Sequence, residues 1–508
     1  MSEDSILRIY AAIEDANWLQ GKVLCQNMLK QQPEYAEILH LYGHILGKLG
    51  DTTLALEKLQ LATLIAPAHP QYRYNYAVSL GEAGREQEAA VQYQACLRYQ
   101  PSHRDALWNY GEMLRLDNHF EEAAVLFERL IEAGGTYPKL QHRLGVTYGA
   151  LGRVEEAEAF FQNEMDGADA DAATHWEYAL FKLGQEEFAT GFAHYHHRFA
   201  EEADNRVFCH DYGLPRWAGE WEEGAALLIH GEQGLGDEMM FASILPEVIE
   251  QAGQHGMTII LLVKPPLVRL FRYSFPDIMI LPHRVGGEFA DITQLPPITW
   301  QAAIGDLAVL FRKQAGDFAK ARKPYLFADP DRVVWYKQYL EALEPGPQPE
   351  LRVGLMWGSN PLKLDSSYIR WTQSRSIPPA LFNALGYLRP RVRFVSLQNP
   401  ERGAEASEMH KLDVLDLSVL QRDFYETAAL VANMDLVFSV CTSVSHLAGG
   451  MGHPAVTALM DRADWRHGKT REQSYWYKNT RYFRQREAGD WTSVIARLGT
   501  HIEEMLAA

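Results

Sequence analysis

Small, apolar and aromatic residues recur every 34 positions along the first two hundred residues. Gly43, Ala77, Gly111 and Gly145 form one column, and Ala55, Ala89, Ala123 and Ala157 a second. Pro33, Pro67 and Pro101 keep the same interval. So do Tyr42, Tyr76 and Tyr110, then Leu59, Tyr93, Phe127 and Phe161. Independent columns at one period predict an array of one repeated unit. From residue 225 the pattern changes to short apolar runs alternating with amphipathic stretches. "AALLIH", "MTIILLV" and "IMIL" come first; after a pause over about 283–330 follow "LRVGLMWG", "RVRFVSLQ", "DLVFSV" and "AVTALM". That alternation is the sequence form of βαβ units and a parallel sheet.

The 34-residue columns resemble the tetratricopeptide repeat, a helix–turn–helix unit. The resemblance implies that the glycine or alanine of the first column lets the first helix approach the second, with the alanine of the next column doing the same from the other side. Proline closes each repeat because it cannot continue a helix. About six repeats are expected over residues 1–200, with degenerate copies at about 2–35 and in "THWEYALFKLGQEEFATGFAHYHHRF", stacked as an α-solenoid. Such a solenoid's concave face is expected to hold a protein or peptide, or to serve in self-association. The trio His194, His196 and His197 is read as the exposed end of the last helix rather than as a metal cluster, because adjacent residues face different sides.

The expected organisation is therefore a solenoid (1–200), a packed connector (201–224), two Rossmann-like domains (225–335 and 350–485) and a C-terminal helix (486–508). A chain of 508 residues has room for these, at roughly 100–200 residues per domain. The net charge of −18 argues against nucleic acid, which requires clustered Lys and Arg. Four cysteines without a close pair suit a reducing compartment and make neither a disulfide framework nor a zinc site. The acidic start "MSEDSILRIY" is no signal peptide, and no apolar run approaches the ~20 residues that span a bilayer, so a cytoplasmic protein is expected.

Candidate chemistry sits in the loops after the strands, where two Rossmann-like halves leave a ligand cleft. "GEQGLGDE" (231–238) joins a strand to a helix. Gly234 and Gly236 allow close backbone approach, and the helix start offers free N–H groups. The spacing GxxGxG is not the dinucleotide fingerprint, and no GK[ST] is present. Asp237 places a carboxylate at the cleft, as a general base or as a helix cap. In "CTSVSHLAGGMGHP", Thr442 and Ser443 stand at a helix start with His446 one turn on, a set of groups that can receive a diphosphate. Lys363, Arg370 and Arg375, in "WGSNPLKLDSSYIRWTQSRSIP", can screen a leaving diphosphate without a divalent ion. "DPD" (329–331) is read as opening a helix, so nothing calls for a metal or another cofactor.

"GEQGLGD", "VGLMWGSNP" with "RSIP", "FVSLQ" and "TSVSHLAGGMGHP" in this order resemble the bacterial tetratricopeptide proteins with a glycosyltransferase domain. Those are similar to the ADP-heptose transferases of lipopolysaccharide synthesis and, more distantly, to the eukaryotic protein O-GlcNAc transferase. The resemblance implies a two-Rossmann (GT-B) fold and transfer of a sugar from a nucleotide-sugar to a hydroxyl, without metal. It gives Asp237 the role of base and Arg375 that of a phosphate-binding lysine; Thr442, Ser443 and His446 match the donor diphosphate loop, with Gly234 and Gly236 beside it. The family's aspartate at the start of that loop is here Cys441, and a nucleophilic thiol would need an activating base. The acceptor implied is a protein held by the solenoid, with flagellin-type modification one setting for it. The alternatives are a non-catalytic scaffold with a decayed transferase domain, favoured by Cys441, and transfer to a lipid-linked saccharide, disfavoured by the lack of a membrane-facing basic helix.

Overall fold

Left-handed backbone marks the repeats more cleanly than any side chain. Positive φ occurs at Ala16, Gly50, Gly84, Asn118, Gly152 and Glu186, each 34 residues after the last. Each lies in the tight turn between the two helices of a repeat, where a glycine or asparagine adopts αL at low cost. The computed structural model describes residues 3–166, 171–200, 207–208, 210–286, 288–319, 322–344, 346–359 and 372–508. Lys363, Arg370 and Cys209 lie outside them.

Two compact units divide at Asp169/Ala170. The first contains, among the described residues, five helix pairs: Glu3–Glu14 with Trp18–Gln31, Ala36–Lys48 with Thr52–Ile65, Pro70–Glu82 with Glu86–Tyr99, Arg104–Leu116 with Phe120–Glu132, and Leu140–Leu151 with Val154–Met165. Pro33, Pro67 and Pro101 each follow a helix end by two residues, as a helix stop should. The columns prove to be contacts. A Cβ on Gly43 would sit 2.6 Å from Leu59, one on Gly111 2.6 Å from Phe127, and one on Gly145 3.0 Å from Phe161. Ala55, Ala89, Ala123 and Ala157 are all buried. The Gln26 and Gln94 amides donate to the hydroxyls of Tyr42 and Tyr110, at 3.0 and 2.7 Å.

The second unit begins with the sixth helix pair, Ala172–Gly184 and Phe188–His194, followed by a 3-10 turn at Tyr195–Phe199. Trp176, Leu183, Phe188, Phe192 and Tyr195 join the same apolar core as the sheet residues that follow. In the described part of the connector the Trp217 and Tyr212 N–H groups donate to the backbone and side-chain oxygens of Gln301.

The first sheet is parallel, in the order β3-β2-β1-β6, with β1 Ala226–His230, β2 Thr258–Val263, β3 Met279–Pro282 and β6 Trp300–Ala303; β4 (Arg284–Val285) and β5 (Glu288–Phe289) form a separate hairpin. Strand β6 falls in the stretch where the sequence pattern pauses. The second sheet runs β12-β11-β10-β7-β8-β9, again parallel, with β7 Leu351–Met356, β8 Val392–Ser396, β9 Leu415–Asp416, β10 Leu436–Val440, β11 Ala455–Leu459 and β12 Thr480–Arg484. Asp329 caps the helix Pro330–Leu343, so "DPD" does open a helix. The stretch "PPALFNALGYL" forms a 3-10 helix, Pro379–Leu388. The last helix, Thr492–Ala507, covers the second sheet through Val494, Ile495, Leu498 and Ile502. No helix among the described residues is long and apolar enough to cross a membrane.

Candidate functional site

In each sheet the strand order reverses at one point, and loops leaving the carboxyl ends of the two strands there form a natural crevice. In the first sheet this lies between β1 and β6, in the second between β7 and β10. The glycine loop follows β1, and the Thr442–His446 stretch follows β10, so both quoted motifs sit at switch points.

The glycine loop has two halves with different duties. Gly231, Glu232 and Gln233 line a cavity of about 350 Å³ with His230, Lys264, His283 and Arg284, roofed by Phe208, His210 and Tyr212 of the connector. Gln233 takes φ of 54°, and its side-chain oxygen accepts from Arg466 at 2.8 Å. From Gly234 onward the loop becomes the helix Leu235–Phe241. Asp237 is the third residue of that helix, not its cap. Its Oδ2 accepts the Gly234 N–H at 2.8 Å, and its Oδ1 pairs with Arg466 at 2.8 Å.

Gly236 serves a packing role that the sequence reading did not include. A Cβ there would lie 2.8 Å from the His446 ring and 3.4 Å from Ser443 Cα, so the glycine lets the helix Leu235–Phe241 pack against the helix Ser443–Gly450. His446 is buried, with Nδ1 2.8 Å from the Tyr477 hydroxyl. Burial lowers its pKa to about 4, leaving a neutral ring at the interface.

Thr442 is the N-cap of Ser443–Gly450, its hydroxyl 3.0 Å from that of Ser439. Arg375 reaches the same place: its Nε donates to Ser359 Oγ at 3.1 Å and its Nη1 to the Cys441 carbonyl at 3.2 Å. The structure thus brings Arg375, Thr442, Ser443 and His446 together, with Gly236 against His446. Asp237 approaches them through Arg466, whose other arm holds Asp464 at 2.5 Å.

Cys441 is held as a protonated thiol in this setting. Burial pushes its thiol up to about 11, and its Sγ lies 3.0 Å from His467 Nε2. His467 is itself held neutral by burial, down to about 3, and so can accept the thiol proton's hydrogen bond. Its Nδ1 is buried without a hydrogen-bond partner among the described residues.

Three groups were missed in the sequence. Arg466, Asp464 and His467 come from "DRADWRHGK" after β11, a charged cluster at a strand end that could have been flagged. Arg198, wholly buried, bonds Glu232 at 2.8 Å and Asp306 at 2.7 Å, tying together the loops after β1 and β6. Glu238, also buried, accepts from Lys264 Nζ at 2.5 Å and from its backbone N–H at 2.9 Å. Burial pushes the Glu238 carboxyl up to about 7, against the pull of Lys264.

The profile of the tetratricopeptide repeat family matches residues 36–69 and 138–163. Their starts lie three 34-residue periods apart. The chain is 30% identical to the Protein FlbA of Caulobacter vibrioides over 399 residues, which covers 75% of this chain and 64% of that protein. It therefore spans just under two thirds of that relative's length. Similar solved structures include a tetratricopeptide repeat protein from Parabacteroides merdae (18% identity, 40% of this chain and 80% of that one, TM-score 0.34) and MamA (17%, 30% and 89%, TM-score 0.29). Another is the Pseudomonas aeruginosa PilF protein (16%, 38% and 87%, TM-score 0.34). The chain carries tetratricopeptide repeats, and these are followed by a region of parallel sheets and helices.

Proposed function

We propose that the second unit is a metal-independent glycosyltransferase of the two-Rossmann (GT-B) type, acting on a protein that the solenoid binds. The observation that carries this reading is the meeting of the two switch-point loops. One side offers Arg375 and the amide start of the helix Ser443–Gly450; the other offers the Asp237 carboxylate. A nucleotide-sugar diphosphate fits the first side, where a cation and free N–H groups stabilise charge as it develops on the leaving oxygen. The acceptor hydroxyl oxygen then bonds to the anomeric carbon, the bond from that carbon to the diphosphate breaks, and Asp237 takes the hydroxyl proton. A carboxylate has about four acceptor sites. The Gly234 and Arg466 contacts use one on each oxygen, so they orient Asp237 and leave lone pairs for the acceptor.

The test is a thermal-shift panel of UDP, GDP, ADP and CMP with their sugar conjugates. A ligand at 100 times its Kd stabilises the fold by roughly 2.7 kcal/mol. One nucleotide should raise Tm, and Arg375→Ala should remove the shift. With that donor and a bound protein, Asp237→Asn should lose transfer while keeping the nucleotide shift. A second reading, a scaffold without catalysis, draws on the same Asp237 contacts, which also suit a purely structural residue. It requires a flat nucleotide panel alongside intact partner binding.

A further inference from the structure

We propose that His175, His194 and His197 form a binding site for a late first-row divalent cation, with zinc as the reference ion. The ligand-capable nitrogens of these three side chains all lie within 4.8 Å of one another, the one such set found among the described residues. The sequence reads His194, His196 and His197 as the exposed end of the last helix; the fold instead gathers His194 and His197 with His175. His196 is exposed, its Nδ1–H donates to the Ala193 carbonyl at 3.1 Å, and its ring lies against that of His197, centroids 4.0 Å apart, without joining the set of three. His194 and His197 are three residues apart on one helical face, and His175 joins them from the first turn of the neighbouring helix.

The geometry is close to a coordination sphere. His175 Nδ1 and His194 Nδ1 are 3.0 Å apart. Two nitrogens bound to a tetrahedral zinc at 2.0–2.1 Å are separated by about 3.3 Å. His197 packs on His175 with ring centroids 4.4 Å apart, so a rotation about its side-chain bonds completes the trio. The scaffold around the rings is fixed. Asp171 caps the His175 helix by accepting the Thr174 N–H at 2.8 Å, and Tyr178 sits edge-on against His194 at 5.2 Å. The rings are half-buried rather than free in solvent. Imidazole ligands select zinc, copper, nickel or cobalt over magnesium and calcium, and three of them leave one position for water or an outside ligand.

The consequence is a clamp on the turn Tyr195–Phe199. His197 is followed directly by Arg198, which holds the loops after β1 and β6 through Glu232 and Asp306. A cation tying this turn to the start of the helix Ala172–Gly184 would stiffen the arm that carries Arg198.

The experiment uses the untagged full chain, stripped with a chelator and titrated with zinc chloride by calorimetry and thermal shift, then with cobalt(II) by visible absorption. One equivalent should bind, with a rise in Tm and a tetrahedral cobalt spectrum. His194→Gln, and His175→Gln on the other helix, should each weaken zinc by more than about tenfold and abolish the cobalt bands. His196→Gln should change neither. No zinc binding by the parent chain, or equal binding by the parent and the His194 and His175 variants, would overturn the site.

Discussion

The two compact units encode their contacts at different ranges. In the first, the decisive contacts repeat locally: Gly43 meets Leu59, Gly111 meets Phe127 and Gly145 meets Phe161, always sixteen residues apart. The Gln26–Tyr42 and Gln94–Tyr110 hydrogen bonds span the same sixteen. In the second unit each contact occurs once and joins distant segments. Arg198 reaches Asp306 across 108 residues, and Arg466 reaches Gln233 across 233. A repeated contact tolerates variation in any single copy, since neighbouring repeats support the array. A unique buried contact has no second copy, so its loss should be felt in full.

That contrast is sharpest at Arg198. Its guanidinium and the Glu232 carboxylate are both fully buried, and among the described residues Arg198 is the one cation paired with that carboxylate. Arg198→Leu leaves a buried carboxylate without its counter-charge, which costs about 3–5 kcal/mol. Urea denaturation followed by tryptophan fluorescence should show the loss. The double variant Arg198→Leu with Glu232→Gln should recover part of it, because the stranded charge is gone. A single variant as stable as the parent would mean that the loops after β1 and β6 hold without the pair.

The same difference in range explains what was legible in the sequence. The repeats could be read because small and aromatic positions are contact partners at fixed spacing. Most strands could be read because both faces of a parallel sheet are buried, giving runs such as "TIILLV". Strand β6, "WQAA", was missed because its few residues offer little periodicity; it is held in place by β1. At the candidate site, Thr442, Ser443 and Arg375 were found because loops after strands are where such groups belong. The packing role of Gly236 and the Arg466 bridge were not, because each is defined by a partner more than two hundred residues away.

Glu238 gives a prediction that depends on pH. Its carboxyl titrates at about 7 in the fold, against about 4.5 when exposed. Between those values the folded state holds a proton that the unfolded state has released. Stability from this group is therefore fully present below about pH 4.5 and falls as pH rises to about 7. The shift corresponds to about 3 kcal/mol at 1.36 kcal/mol per pH unit. Glu238→Gln removes the titration, so the stability of the variant relative to the parent should rise by that amount between pH 4.5 and 7.5. A difference that stays flat with pH would show that Lys264 keeps the carboxylate charged throughout.

The smallest effect tests the repeating side of the comparison, and its sign rests on two opposed terms. Gly111 lies inside the helix Arg104–Leu116, where alanine in place of glycine normally gains about 0.5–1 kcal/mol. Against that, the new Cβ would lie 2.6 Å from Phe127 Cε1 and 3.0 Å from Cδ1, closer than the ring can accept without moving. Phe127 is fully buried, so its displacement is an overpacking cost of about 1–3 kcal/mol. The net expectation for Gly111→Ala is a loss of about 1 kcal/mol, read as a lower urea midpoint at unchanged slope. Adding Phe127→Leu to Gly111→Ala should recover stability relative to Phe127→Leu alone. If Gly111→Ala raises the midpoint, the column records helix propensity rather than a contact between paired helices.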